Sequence, residues 1–329
     1  MWIFKPILKS TIWGGRLIKQ LKYTDITSNM SIGESWEISA IENNVSIVAE
    51  GPDKGLSLTD LINKYGTLLL GSKNFEQFGN KFPLLIKFID ADNDLSVQVH
   101  PNDIIARQCH NSLGKTEMWY VVNANTNANI YCGFKDDINI EKFKNATNEN
   151  TILNTLQKYT SKQEDVFFIP AGRIHAIGAG NLILEIQQSS DITYRIYDYD
   201  RTDANGQKRT LHTDLAINAI NFNDNTPALI TYDKNKYNSQ TKIISSEYFT
   251  TEIIKINKLI EIDYSQIDSF ISISVVEGIC TIESLENKLF NQSQKIELST
   301  ATTILLPATT KKIKIHPTLN CTILATYIE

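Results

Sequence analysis

The sequence predicts a mainly β protein made of two antiparallel, barrel-like units with short helical insertions. Three observations predict it. From Phe82 onward the chain is a succession of short β-branched and aromatic runs broken by Gly, Asn, Asp and Pro, the pattern of an all-β sandwich or barrel. Two stretches interrupt that rhythm with helical periodicity. One pattern also occurs twice: DVFFIPAGRIHAI (165–177) and TTILLPATTKKIKI (302–315) each run an apolar strand into Pro-Ala, a turn and a further strand. Such an echo points to two copies of one unit.

In chain order, the N-terminal stretch MWIFKPILKSTIWGGRLIKQ has no long apolar core and no small-residue cleavage site, so it reads as the start of the fold rather than a signal peptide. Leu58, Leu61, Ile62 and Tyr65 then fall at i, i+3, i+4 and i+7 between Ser57, a good N-cap, and Gly66, a good C-cap. Strands are expected at 84–89, 95–100, 117–122, 166–170, 182–187 and 193–197. A second helical stretch is expected over 140–159, where Ile152, Leu153, Leu156 and Tyr159 form an apolar stripe. After Phe222 the polar run NDNTPALITYDKNKYNSQTK separates off a further set of strand-like runs from Ile243. We therefore expect a unit over 1–235, with helical insertions at about 56–80 and 136–162, and a second over 236–329. In the second copy a lysine region takes the place of His175 and no Gln-x-His occurs, so that copy is degenerate.

Composition narrows the function. No run approaches the roughly 18 apolar residues of a membrane helix, so no membrane partner is expected. Lys and Arg number 32 against 37 Asp and Glu, a net charge of -5, which leaves no global positive field for nucleic acid or an anionic bilayer. An anionic ligand must be met by a local cluster. The four cysteines, Cys109, Cys132, Cys280 and Cys321, show no CxxC spacing, which fits free thiols in a reducing, cytoplasmic setting.

Period-two alternation in LSVQVH sends Leu95, Val97 and Val99 to one face and Ser96, Gln98 and His100 to the other. Polar side chains inside a barrel must be satisfied by water, metal or ligand. Glu117 opens another strand, and His175 follows the Pro170-Ala171-Gly172 turn that can aim it back into the barrel. Two imidazoles, a carboxylate and an amide suit a catalytic divalent metal, Zn²⁺ before Mn²⁺, Co²⁺ or Fe²⁺. The plain alternative is two unrelated histidines bonded to backbone; the absence of these donors from the second copy favours metal. Lys87 lies in an otherwise apolar strand and Lys115 two residues before Glu117, and for Lys87 the required anion is either a phosphate or a protein carboxylate. Arg195 could steady a developing oxyanion or pair with Asp198 or Asp200. Glu185 and Gln187 share a strand face, with Glu185 read as support for a ligand before a proton-transfer base. His110, His212 and His316 read as surface or cap histidines, and Cys109 beside His110 is no nucleophile–base pair by adjacency alone.

Taken together, IWGG (12–15), GESWEIS (33–39), FPLLIKFIDA (82–91), LSVQVHP (95–101), GKTEMWY (114–120), IPAGRIHAIG (169–178), LEIQQSSDITYRIYDYDR (184–201) and GQKRTLH (206–212) resemble the type I mannose-6-phosphate isomerases, above all their short bacterial form. The likeness runs in order from about residue 3 to about residue 220; the remainder matches only in general character. It implies a cupin-type, jelly-roll fold and a zinc enzyme, one Zn²⁺ per chain, that interconverts mannose 6-phosphate and fructose 6-phosphate. It places the metal ligands on Gln98, His100, Glu117 and His175, the catalytic arginine on Arg195 and a substrate-site lysine on Lys115, with Lys87 beside it. Zinc would polarise the substrate oxygens or hold the water that relays protons, Arg195 would stabilise the enediolate, and Lys115 with Lys87 or a neighbouring hydroxyl would anchor the sugar phosphate. Glu164 stands where the family often has glycine, which is expected to loosen that turn. The competing readings are a non-catalytic cupin that binds a sugar phosphate, and an Fe²⁺ cupin oxygenase, for which a more His-rich site would be usual.

Overall fold

The computed structural model describes residues 1–22, 30–202, 206–285, 289 and 293–329. A seven-stranded antiparallel sheet packs over a five-stranded one in the first part of the chain, and a second seven-stranded sheet packs over a four-stranded one in the last part. Across the first large sheet, Val166–Ile169, Glu117–Ala124, Asn181–Gln188, Leu84–Ala91 and Glu34–Ile38 lie side by side. The small sheet runs Leu156–Thr160, Asn129–Phe134, His175–Ile177, Val97–Val99, Tyr194–Tyr197.

Side-chain alternation divides each central strand between two cores. Trp119, Val121 and Ile183 point into the space between the first two sheets, while Met118, Tyr120, Leu184 and Ile186 point outward into a core shared with Ile253, Leu305 and Leu324 of the second unit. All eight residues of Leu84–Ala91 and of Asn181–Gln188 are buried. A strand covered on both faces reads as a continuous apolar run, and for that reason Lys87, Glu185 and Gln187 stand out in these two.

The strand–turn–strand echo is a crossing from large sheet to small sheet in both units. Val166–Ile169 passes through Pro170 to His175–Ile177, and Thr302–Leu306 passes through Pro307 to Lys312–Pro317. The second unit's interior is filled by Ile262, Ile282, Ile304, Ile313, Ile315 and Ile323. Where the first unit keeps polar donors, the second is packed shut. The N-terminal strand Trp2–Lys5 joins the second unit's large sheet, with Trp2 opposite Leu305.

The first helical insertion has the caps its sequence predicts. The Ser57 hydroxyl accepts from Asp60 N at 3.0 Å and the Asp60 carboxylate accepts from Ser57 N at 3.0 Å, a reciprocal capping box, and Gly66 closes Leu58–Tyr65. Two further short helices, Thr67–Leu70 and Ser72–Phe78, complete it. The second stretch differs from expectation. Only Ile140–Asn148 is α-helical; Asn150 turns left-handed at φ 56°, Ile152–Thr155 is a single tight turn, and Leu156–Thr160 is a strand paired with Asn129–Phe134. A left-handed residue cannot continue an α-helix, and the apparent four-residue stripe is a turn followed by an edge strand whose Leu156 and Tyr159 pack on opposite faces, in different cores.

At Glu164 the expectation of a loosened turn is corrected. Its backbone is left-handed, φ 68°, but its carboxylate bonds Lys255 Nζ at 2.5 Å and its carbonyl accepts the Tyr232 hydroxyl at 2.8 Å. The turn is pinned to the second unit. No helix among the described residues is long and apolar enough to cross a membrane, and the four cysteines are free thiols.

Candidate functional site

Pairing register brings the polar residues into two facing rows. On the small sheet His175 lies opposite Gln98, and Gln98 opposite Arg195. On the large sheet Glu185 lies between Trp119 and Lys87, and Glu117 pairs with Gln187 one step along. His100 sits directly after the Val97–Val99 strand. The rows meet between the sheets, where ligand atoms of His100, Glu117 and His175 all lie within 4.8 Å of one another, and all three side chains are buried.

Each imidazole is oriented by the nitrogen that faces away from this point. His100 Nδ1 donates to Ile192 O and His175 Nδ1 to Arg173 O, both at 2.8 Å, so the two Nε2 lone pairs converge on Glu117. Nε2 of His100 is 3.5 Å from Glu117 Oε2, and Nε2 of His175 is 3.5 Å from Oε1. The Gln98 amide touches His175 Nε2 at 3.3 Å, and a half-turn of that amide presents its oxygen at the same place. Burial pushes the pKa of His175 down to about 3 and that of His100 well below the histidine norm, with Lys115 adding to the effect at His100. Both rings are neutral, the form that binds a metal.

Glu117 is the electrostatic anomaly. It is fully buried, and its Oε1 has no hydrogen-bond partner. Burial, with the nearby Glu185 charge, raises its pKa to about 7. A buried carboxylate oxygen without a donor is costly, and here it faces the His175 Nε2 lone pair, while Oε2 of the same carboxylate faces His100 Nε2. Two nitrogens and a carboxylate with an adjacent amide oxygen are the donor set of a divalent cation. The set can hold a metal ion.

Lys115 bonds Glu117 Oε2 and lies 3.2 Å from both Glu185 Oε1 and His100 Nε2. Lys87 lies 3.1 Å from Glu185 and 3.3 Å from Glu34. Glu185 also accepts from Trp119 Nε1 at 2.8 Å. Burial opposes ionisation of Glu185, but the two ammonium groups outweigh it and hold its pKa low. Its contacts are those of a support for Lys115 and Trp119.

Arg195 makes no salt bridge among the described residues, because Asp198 is taken by Arg201 and Arg209 and Asp200 by Lys208. Its Nη1 donates to Thr210 O at 3.0 Å and its buried Nε has no partner. The cleft above the ligand set has a volume of about 370 Å³, and Gln98, Lys87, Lys115, Glu185 and Arg195 all reach it. That is within the size range of small-molecule pockets. Trp13, Glu34, Trp36 and Arg209 also line it, and residue-by-residue reading missed them. For Glu34 and Trp36 the signal was available as i, i+2 alternation in GESWEIS.

The remaining candidates fall elsewhere. His110 bonds the Tyr194 hydroxyl at 2.8 Å, His316 approaches Glu283 at 3.7 Å in the second unit, and Cys109 is exposed.

The model of the phosphomannose isomerase type I catalytic domain matches residues 1–137. The mannose-6-phosphate isomerase ManA of Bacillus subtilis is 38% identical over 279 residues, 84% of this chain and 85% of its own. The mannose-6-phosphate isomerase of Streptococcus mutans is 38% identical over 268 residues, 81% of this chain and 82% of its own. The crystal structure of the Bacillus subtilis mannose 6-phosphate isomerase superposes with a TM-score of 0.86 at 32% identity, covering 99% of each chain. This chain is similar to these relatives in sequence and to the solved structure in cupin-type fold.

Proposed function

The chain belongs to the type I phosphomannose isomerase family, and from that premise we propose that it interconverts mannose 6-phosphate and fructose 6-phosphate through a cis-enediol. The observation that carries this reading is the Glu117 carboxylate, its Oε1 unpartnered, set between two neutral, oriented imidazoles at the floor of a cleft lined by cations. Gln98, His100, Glu117 and His175 would hold one Zn²⁺. When bound, that ion supplies Lewis-acid polarisation of the substrate oxygens.

The chain's own residues account for the rest. Moving a proton from C2 of the aldose to C1 develops negative charge on the sugar oxygens, and preformed donors aimed at that charge are the most effective contribution a protein makes. Arg195 fits that role: its buried Nε is unpaired and it forms no salt bridge among the described residues, Asp198 being bonded to Arg201 and Arg209. Lys115 and Lys87 bind the substrate from the floor of the cleft. Their carboxylate partners, Glu117, Glu185 and Glu34, fix both ammonium groups in place before substrate arrives.

Purified protein incubated with mannose 6-phosphate tests the reading through coupled detection of fructose 6-phosphate, with the reverse reaction as control. Equilibration from both sides is expected. Saturable binding of mannose 6-phosphate without conversion would replace the enzyme with a sugar-phosphate-binding cupin.

A further inference from the structure

Tyr194–Tyr197 is the last strand of the five-stranded sheet, so the side of Arg195 away from Val97–Val99 has no strand beside it. His212 stands there instead. Its backbone N–H donates to Arg195 O at 2.7 Å, and its ring Nδ1 accepts the Arg195 N–H at 3.1 Å. In an extended strand the N–H and C=O of one residue point to the same edge. One histidine thus supplies both the donor and the acceptor that a neighbouring strand would have supplied. Two residues earlier, Thr210 O accepts from the Arg195 guanidinium.

The ring has left another post to do this. His212 occupies the N-cap of the Thr213–Ala219 helix, yet its side chain makes no capping hydrogen bond. N-cap side chains ordinarily accept from the first free N–H groups of the helix, so the ring is diverted to Arg195. Burial, then the charge of Arg195 itself, holds its pKa below the ordinary histidine value. The neutral ring carries its proton on Nε2 and accepts at Nδ1. Because Arg195 directs both backbone groups to His212, its pairing with Gln98 is of the non-hydrogen-bonded kind, in which facing side chains approach most closely.

From these contacts we infer that His212 is a positioning residue for Arg195, bracing its backbone from the open sheet edge so that the guanidinium lies beside Gln98. The inference rests on Arg195 being the residue that stabilises the enediolate. A displacement of about 1 Å in such a group can cost about a hundredfold in rate.

A double-mutant cycle tests it, with kcat, KM, bound zinc and melting temperature measured for each variant. His212→Ala is expected to lower kcat about ten- to a hundredfold at unchanged zinc content. His212→Asn, whose side-chain oxygen can accept where Nδ1 does, recovers much of the loss. In the Arg195→Ala background, His212→Ala lowers kcat no further, since the group it positions is gone. His212→Gln, which keeps a polar side chain but carries its oxygen one bond farther out, gives the same comparison if the alanine variant does not fold. Additive losses in the double variant, or full turnover by both His212→Ala and His212→Gln, overturn the inference. Normal turnover by Arg195→Ala alone overturns instead the reading of Arg195 on which it stands.

Discussion

At Glu117 two demands oppose each other: the chain buries a carboxylate completely, yet leaves one of its oxygens without a donor. A bound cation reconciles them, so Glu117→Gln should abolish stable zinc binding, reducing bound metal after dialysis at least about tenfold while the fold survives. Metal analysis against circular dichroism checks this. Arg195→Ala belongs to the other side of the reaction: it should retain zinc and lose about 10²–10³ in kcat, and near-normal turnover would remove Arg195 from the mechanism. The two histidines give a pH prediction. Both are neutral in the folded chain, with the pKa of His175 down to about 3, whereas an unfolded histidine titrates near 6.5. Below that value these two rings bind more protons in the unfolded state than in the folded one, so their contribution to stability falls as pH drops from about 6.5 toward 3, two imidazoles against the single opposing carboxylate of Glu117, whose raised pKa favours the folded state below about 7. Urea midpoints at pH 7 and pH 5 should show the loss, and a higher midpoint at pH 5 would contradict it.

Among the elements, the turn at Glu164 sets backbone strain against an ion pair. Glycine would relieve a left-handed φ of 68°, worth about 1–2 kcal/mol. It would also take the carboxylate from the buried Lys255, leaving its ammonium only the Lys234 carbonyl at 2.7 Å; removing one partner costs about 3–5 kcal/mol when a pair is fully buried, and somewhat less for the part-exposed Glu164. The second effect is larger, so Glu164→Gly should destabilise by about 1–3 kcal/mol in denaturant titration, and adding Lys255→Met should recover most of it. Elements with period-two patterning and strong caps were legible in the sequence: the strand carrying Gln98, the Ser57–Gly66 helix and the repeated strand–Pro–Ala–strand crossing. The strand at Leu156–Thr160 was not, because a tight turn followed by an edge strand mimics helical spacing. The candidate ligands were legible because polar residues in apolar strands are conspicuous. Glu34 and Trp36 were marked only by their i, i+2 spacing, Arg209 was hidden because only loop closure carries it to the cleft, and His212 because its bonding partner is backbone. The lysines' carboxylate partners needed cross-strand register as well.

Over the whole molecule, the second unit covers the outer face of the first. Phe88, Met118, Tyr120, Leu184 and Ile186 share one core with Ile253, Leu305 and Leu324, and the N-terminal strand pairs into the second unit's sheet. A chain ending at residue 235 should therefore expose that apolar face and lose the pairing of Trp2 and Ile3 with Leu305 and Ile304, giving aggregation or strong binding of a hydrophobic dye; a soluble, active fragment would show that the second unit is dispensable. The intact molecule offers the most direct test of the central claim. Mannose 6-phosphate conversion is measured on the purified protein as isolated, after exhaustive chelation, and after stoichiometric Zn²⁺ is returned. Activity lost to the chelator and restored by one equivalent of zinc per chain is the predicted result; full activity in protein verified to be free of metal would contradict it.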